Sequence, residues 1–309
     1  MRRNLIGVGR AISLLALLSA MIVAGTVQGA RAESTLSKVL QRGELLAGTV
    51  VDAPPSGSMD ARGHIIGYCS DVARYVAARL GVKLKFVQVT AQSRIPLLQT
   101  GRIDAEFGVT TPQKVRNEVV DFAYTYILDS GVILVRKGES TDPKDYYNAD
   151  KVIGATQGNG FVAQWKKLSP NAKFRLYQNE SDVAVALEKG DVAVHLIGDI
   201  AAHRYAAQSG GRLVVGEAWS PSPDAIMVRQ NNSKWRNWLN WALQRMWVEG
   251  TLQKLYMKWY GIEPNFKLGD DGIIQPRVME IGKTDDPWQP LPAGFLEKLL
   301  GPHSYELAN

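Results

Sequence analysis

From Leu36 onward, apolar runs of strand length alternate with stretches of helical period. Glu44–Val50 (ELLAGTV) predicts a strand, and Asp52–Ser58 (DAPPSGS) follows as a loop that its prolines keep from continuing into either element. Behind Asp71, read as a helix cap, Val72, Tyr75, Val76 and Leu80 recur at helical spacing until Gly81. Val82–Val89 (VKLKFVQV) is rich in β-branched and aromatic residues and predicts the next strand. Ser93 opens a short helix, RIPLLQ, which Gly101 stops, and a strand over Arg102–Phe107 leads into the loop GVTTPQ. Gly131–Val135 and Lys151–Thr156 predict strands on either side of a polar stretch, Lys137–Asp150, and the second runs into Gln157-Gly-Asn-Gly160 before a helix. RLVVGEAW is a further strand, Ser220-Pro-Ser-Pro-Asp224 a crossing or linker, and Ala225–Val228 a strand again. Lys234–Tyr260 predicts a long helical region, beyond which a tail punctuated by Pro and Gly is expected to run along the surface.

Strand and helix in alternation predict an α/β protein built on a parallel sheet. Ligands of such sheets bind beyond the carboxyl ends of the strands. The loops Val51–Ser58 and Gly108–Arg116, with their later counterparts, are therefore the candidate site. LLQTGRIDAEF (97–107) is echoed by ALEKGDVAVHL (186–196), which points to two similar α/β lobes more than to duplication. Trp235, Trp238, Leu239, Ala242, Leu243 and Met246 form a helical stripe, read as core packing in preference to an aromatic ligand site.

The N-terminus alters the charge picture. Arg2, Arg3 and Arg10 precede an apolar stretch within Ala11–Ala24, and Ala30-Arg31-Ala32 forms a small-x-small cleavage site. This is the pattern of a secretory signal peptide over residues 1–32, and the apolar run is too short to make a comfortable membrane anchor. Without that segment, which holds four Arg and no acid, the formal charge falls from +6 to +2. Little argument for nucleic acid remains. The 277 residues that follow suit about two domains. Cys69 is the single cysteine, so neither an internal disulfide nor a cysteine metal site is available, and the thiol is expected to be buried. The four His, at 64, 195, 203 and 303, lack metal-ligand spacing, and no cofactor is implied.

The run Ser93–Phe122 (SRIPLLQTGRIDAEFGVTTPQKVRNEVVDF) resembles the periplasmic amino-acid-binding proteins of ABC transporters, the family 3 solute-binding proteins. Within that family it is most similar to the glutamate/aspartate-binding branch. Gly67-Tyr-Cys-Ser-Asp71-Val72, LEKGDVAV, IGDIAA and the closing EGTLQKLYMKWYG at 249–261 agree with it. The resemblance implies an α/β, two-lobed periplasmic binding protein (type II) fold with two hinge crossings, near Leu128–Gly131 and Ser220–Asp224. Lobe 1 would comprise residues 33–127 and 225–309, and lobe 2 residues 128–224. It further implies Arg116 and Thr111 on the ligand α-carboxylate and Asp199 on its α-ammonium. Asp199 as a helix cap is the competing assignment. Thr110 would join the site or finish the turn, and Gly158 and Asn159 would offer backbone N–H groups. Arg94 matches an Arg that contacts an acidic side chain.

Two departures leave the solute open. The branch's other side-chain Arg is Val50 here, and Pro54-Pro55-Ser56 lacks the family's aromatic lid. Asp52, in the same loop, suits a cationic or hydroxylated ligand. The implied partners are an amino acid, with acidic ones in view, and an inner-membrane ABC permease, for a monomer in the periplasm without a catalytic residue. Two other functions stay open. One is a cyclohexadienyl dehydratase-like enzyme with Glu106, Asp52 or Asp199 as its acid. The other is the ligand-sensing input of a receptor.

Overall fold

The structure, a computed structural model, describes residues 33–147, 150–261, 264 and 289–301, all but Glu33 within one compact unit, Ser34–Asn309. The expected signal peptide, and the tail apart from Pro264 and 289–301, lie outside the described residues. An eight-stranded sheet forms the frame, in the spatial order β4-β1-β5-β10-β6-β9-β7-β8. Its first half holds β1 (Glu44–Thr49) between β4 (Lys83–Gln88) and β5 (Ala105–Glu106), all parallel. Its second half holds β7 (Val152–Thr156) between β8 (Lys173–Tyr177) and β9 (Val194–Gly198), again parallel.

Two strands of 17 residues each, β6 (Val120–Arg136) and β10 (Leu213–Arg229), pair antiparallel at the centre and join both halves. The sequence pattern resolved only the ends of this ribbon. Ser220–Asp224, read as a crossing or linker, stays in the ladder, with Pro221 opposite Ser130 and Pro223 opposite Leu128. The prolines at alternate positions turn their missing N–H to one edge, and the register shifts beside Ser220 and Ala225 absorb the bend.

Apolar alternation on β6 serves both faces of the second half. Ile133 and Val135 join a cluster with Ile153, Trp165 and Leu196, whereas Val132 and Leu134 join Leu187, Ile197 and Ala202. A strand covered on both faces reads as the unbroken run Val-Ile-Leu-Val. In the first half, helix α1 (Thr35–Arg42) and helix α2 (Tyr68–Leu80) pack with α8 (Ser233–Val248) and α9 (Thr251–Tyr260) into the largest core. All six residues of the Trp-rich stripe are buried there. The long C-terminal helical region breaks at Gly250, whose φ of 70° is left-handed.

Asp71 does not cap α2. The helix starts behind Gly67, and Asp71 lies in its first turn. Its carboxylate accepts from Lys258 Nζ, Trp259 Nε1 and Arg74 Nη1, each at 2.8 Å. Two of the motifs noted along the chain, around Asp71 and around Lys258-Trp259, are thus the two sides of one contact. The described tail segment rests on the same region: Gln289 N–H donates to Arg79 O at 2.7 Å, and Leu299 is buried on helix α10 (Phe295–Leu300).

Candidate functional site

The carboxyl ends of the strands in both halves open onto a single cleft. It encloses about 90 Å3 of water-accessible room, enough for several waters or a small solute. The loop after β1 supplies Asp52 and Ser56, and the loop after β5 supplies Thr111, Gln113 and Arg116. Asn159 and Gly160 come from the start of helix α5 (Gly160–Leu168), and Glu180 from the start of helix α6 (Glu180–Lys189). The central strands add Asp129, Ser222 and Asp224 as its floor.

Arg116 spans the cleft, its Nη1 donating to Thr111 O at 2.9 Å and its Nη2 to Gly158 O at 3.1 Å. Each terminal nitrogen keeps a second proton for a ligand. Burial, with Arg94 adding repulsion, lowers its pKa to about 10, so it stays a cation at neutral pH. Gly160 leaves room for this fork, since a Cβ there would meet Arg116 Nη2 at 3.0 Å and Gln113 Nε2 at 2.5 Å. Asn159 is committed to its own helix: its carbonyl caps Phe161 N–H at 2.8 Å, and its amide donates to Leu196 O at 3.1 Å.

Thr111 Oγ1 reaches Asp224 Oδ1 at 3.0 Å and Ser222 Oγ at 2.7 Å. Asp224 is almost fully enclosed, and burial first, then Asp129, raises its pKa well above the usual carboxylate range. Asp129 takes the N–H of Ser130 at 2.8 Å and of Ile200 at 3.2 Å, yet burial still lifts it to about 7. Sequence reasoning missed this pair, together with Glu180, Gln113 and Ser222. The signal available was an acid inside each apolar central strand.

Arg94 lines the cleft, with Nη1 donating to Val109 O at 3.2 Å and to Thr110 Oγ1. Its buried Nε has no hydrogen-bond partner. Behind it Glu106 is fully enclosed, 3.8 Å from Nη1, and accepts from Thr110 Oγ1 at 2.9 Å. Burial raises the Glu106 pKa. Thr110 is therefore the buried link between Arg94 and Glu106, beneath the cleft surface.

Asp52 Oδ2 accepts the Glu180 N–H at 3.2 Å, and Tyr205 Oη donates to Asp52 O at 3.0 Å. Both contacts join the two halves of the sheet. Asp199 starts helix α7 (Asp199–Gln208) behind Gly198, and its carboxylate lies 3.2 Å from His203 with 41% of the side chain exposed. It does not line the cleft. Among the described residues, no cluster of three or more His, Cys, Asp or Glu is arranged to hold a metal, and no helix is long and apolar enough to cross a membrane.

A sheet in two halves joined by two central strands, with one polar cleft across them, defines a two-lobed binding protein. The family model for bacterial extracellular solute-binding proteins, family 3, matches residues 45–262, and the chain belongs to that family. The glutamate/aspartate import solute-binding protein of Escherichia coli is 26% identical over 284 residues, covering 84% of this chain and 93% of that protein. A mutant of the arginine-binding protein of T. maritima superposes with a TM-score of 0.69 at 27% identity, over 74% of this chain and all of that one. An ancestral amino-acid-binding protein described as a precursor of cyclohexadienyl dehydratase gives 0.69 at 30% identity, with the same coverage.

Proposed function

We propose that this chain is a periplasmic, monomeric protein that captures an α-amino acid between its lobes and delivers it to an inner-membrane ABC permease. The observation that carries this reading is that one cleft holds both the Arg116 fork and the carboxyl groups of Asp129 and Asp224. A zwitterion is the small solute that such an arrangement complements at both ends. In this reading Arg116 and the Gly160 N–H at the start of α5 hold the α-carboxylate, the Asn159 and Phe161 N–H groups being bonded to Thr156 O and Asn159 Oδ1. The α-ammonium goes to Asp129 or Asp224, in place of the Asp199 that family resemblance suggests. Lobe 1 is 33–127 with 225–309 and lobe 2 is 128–224, hinged on the central strands, and the names of the relatives support the assignment to transport.

Calorimetric titration of the twenty amino acids into protein stripped of co-purified solute tests the proposal. At least one should bind, and Arg116→Ala should weaken it by about 2–5 kcal/mol, the range for truncating one side of a desolvated charged pair. Binding within twofold of the parent would refute the carboxylate assignment. The elimination reading has less support. Of its three acids, Glu106 is sealed beneath Arg94, Asp199 pairs with His203, and Asp52 is held by the Glu180 N–H.

A further inference from the structure

The charged groups that line the cleft are unequal in number. Among the described lining residues, the cations are Arg94 and Arg116 and the acids are Asp52, Asp129, Glu180 and Asp224. Arg94 also faces the enclosed Glu106 at 3.8 Å, so much of its charge is answered from behind. Asp129 and Asp224, whose pKa values burial raises, are the acids assigned to the α-ammonium, which leaves Asp52 and Glu180 without an assigned partner on the ligand. The excess of acid is concentrated where Asp52 and Glu180 meet across the cleft.

We propose that the bound amino acid carries a cationic side chain, whose ammonium or guanidinium group is held between Asp52 and Glu180. This rests on the amino-acid reading and names its substrate class. The two carboxylates come from opposite halves of the sheet and are brought together by the 3.2 Å bond from Glu180 N–H to Asp52 Oδ2. No Lys or Arg lies between them among the described lining residues. Like charges in a partly desolvated site repel each other, and a cation placed between them removes that cost. Consistent with this, burial and then Glu180 raise the Asp52 pKa.

The neighbours orient this pair. Thr156 Oγ1 donates to Glu180 Oε1 at 3.1 Å, and His195 Nε2 lies 2.5 Å from Oε2. His195 is fully buried, and its Nδ1 has no hydrogen-bond partner. Arg94, whose buried Nε has no hydrogen-bond partner, is also among the lining residues. An acidic side chain would meet Asp52 and Glu180 unpaired, which is discrimination by repulsion.

The test is calorimetric titration with L-arginine, L-lysine, L-glutamine and L-glutamate on stripped protein. L-Arginine or L-lysine should bind at least about tenfold more tightly than L-glutamine, and L-glutamate weakest of the four. Asp52→Asn keeps an acceptor for the Glu180 N–H, and Glu180→Gln keeps one for Thr156. In each variant the ratio of cationic to neutral affinity should fall about tenfold, with the ratio as readout so that a general loss of affinity does not mimic the effect. Tightest binding of L-glutamate or L-glutamine, or an unchanged ratio in both variants, overturns the charge assignment and leaves the amino-acid reading standing. Absence of binding by every amino acid overturns both.

Discussion

Replacing Asp71 by Ala tests whether the contact between α2 and α9 stabilises the first half of the sheet. The carboxylate and Lys258 are each only 6% exposed as side chains, and three donors converge on it at 2.8 Å. The substitution leaves a buried ammonium hydrogen-bonded to the Leu299 carbonyl without a carboxylate to balance it, and takes away the Asp71 acceptor of the Trp259 indole N–H. Breaking one side of such a pair costs about 3–5 kcal/mol. At about 2–4 °C per kcal/mol for a chain of this size, the midpoint should fall by about 6–20 °C, read by circular dichroism on heating. Arg74→Ala removes the more exposed donor and should cost about 1 kcal/mol or less. Asp71→Ala with Lys258→Met should cost less than the sum of the two single changes. A loss below about 1 kcal/mol for Asp71→Ala would refute the reasoning, since the pair would then be no more than a surface contact.

Cys69 is fully buried, with burial pushing its thiol pKa up, so a thiol reagent should modify it only on unfolding; prompt reaction of the native protein would contradict this. Gly158 has a φ of 80°, and a Cβ there would sit 2.6 Å from Ala91 O across the cleft. Gly158→Ala should therefore weaken ligand binding by about tenfold or more through strain and obstructed closure, and unchanged affinity would show that the loops do not need this approach. Asp129 holds its proton to about pH 7 when folded, against an ordinary value of 3.8, so the folded state binds more protons in that window. Stability of the unliganded protein should thus fall as pH rises from about 4 to 7, and Asp129→Asn should flatten the fall; equal slopes in urea titrations would reject it. Incubation with prephenate or arogenate should yield no product, and steady turnover would revive the elimination reading.

The alternation of strand and helix was legible because each βαβ unit is local: β1, α2 and β4 carry their periodicity within 45 residues of chain. That Arg116 would stand at the cleft was legible because its neighbours form a dense motif. The central ribbon was not, since Ser220–Asp224 taken alone is a turn composition. Only pairing with Leu128–Ser130, about 90 residues earlier, makes it a strand. Asp129 and Asp224 share that origin: each looks like a lone loop acid until the ladder brings the two together at the cleft floor. Asp71 illustrates the converse, where local spacing suggested a cap and a partner 187 residues away decided the role.

The order of the strands also bears on how the molecule is made. β5 is complete by residue 106, yet its neighbour on the side away from β1 is Met227 of β10, and the core above it needs Trp235 through Tyr260. The half of the sheet that is synthesised first is thus among the last parts to close, because its contacts wait on chain that emerges more than a hundred residues later.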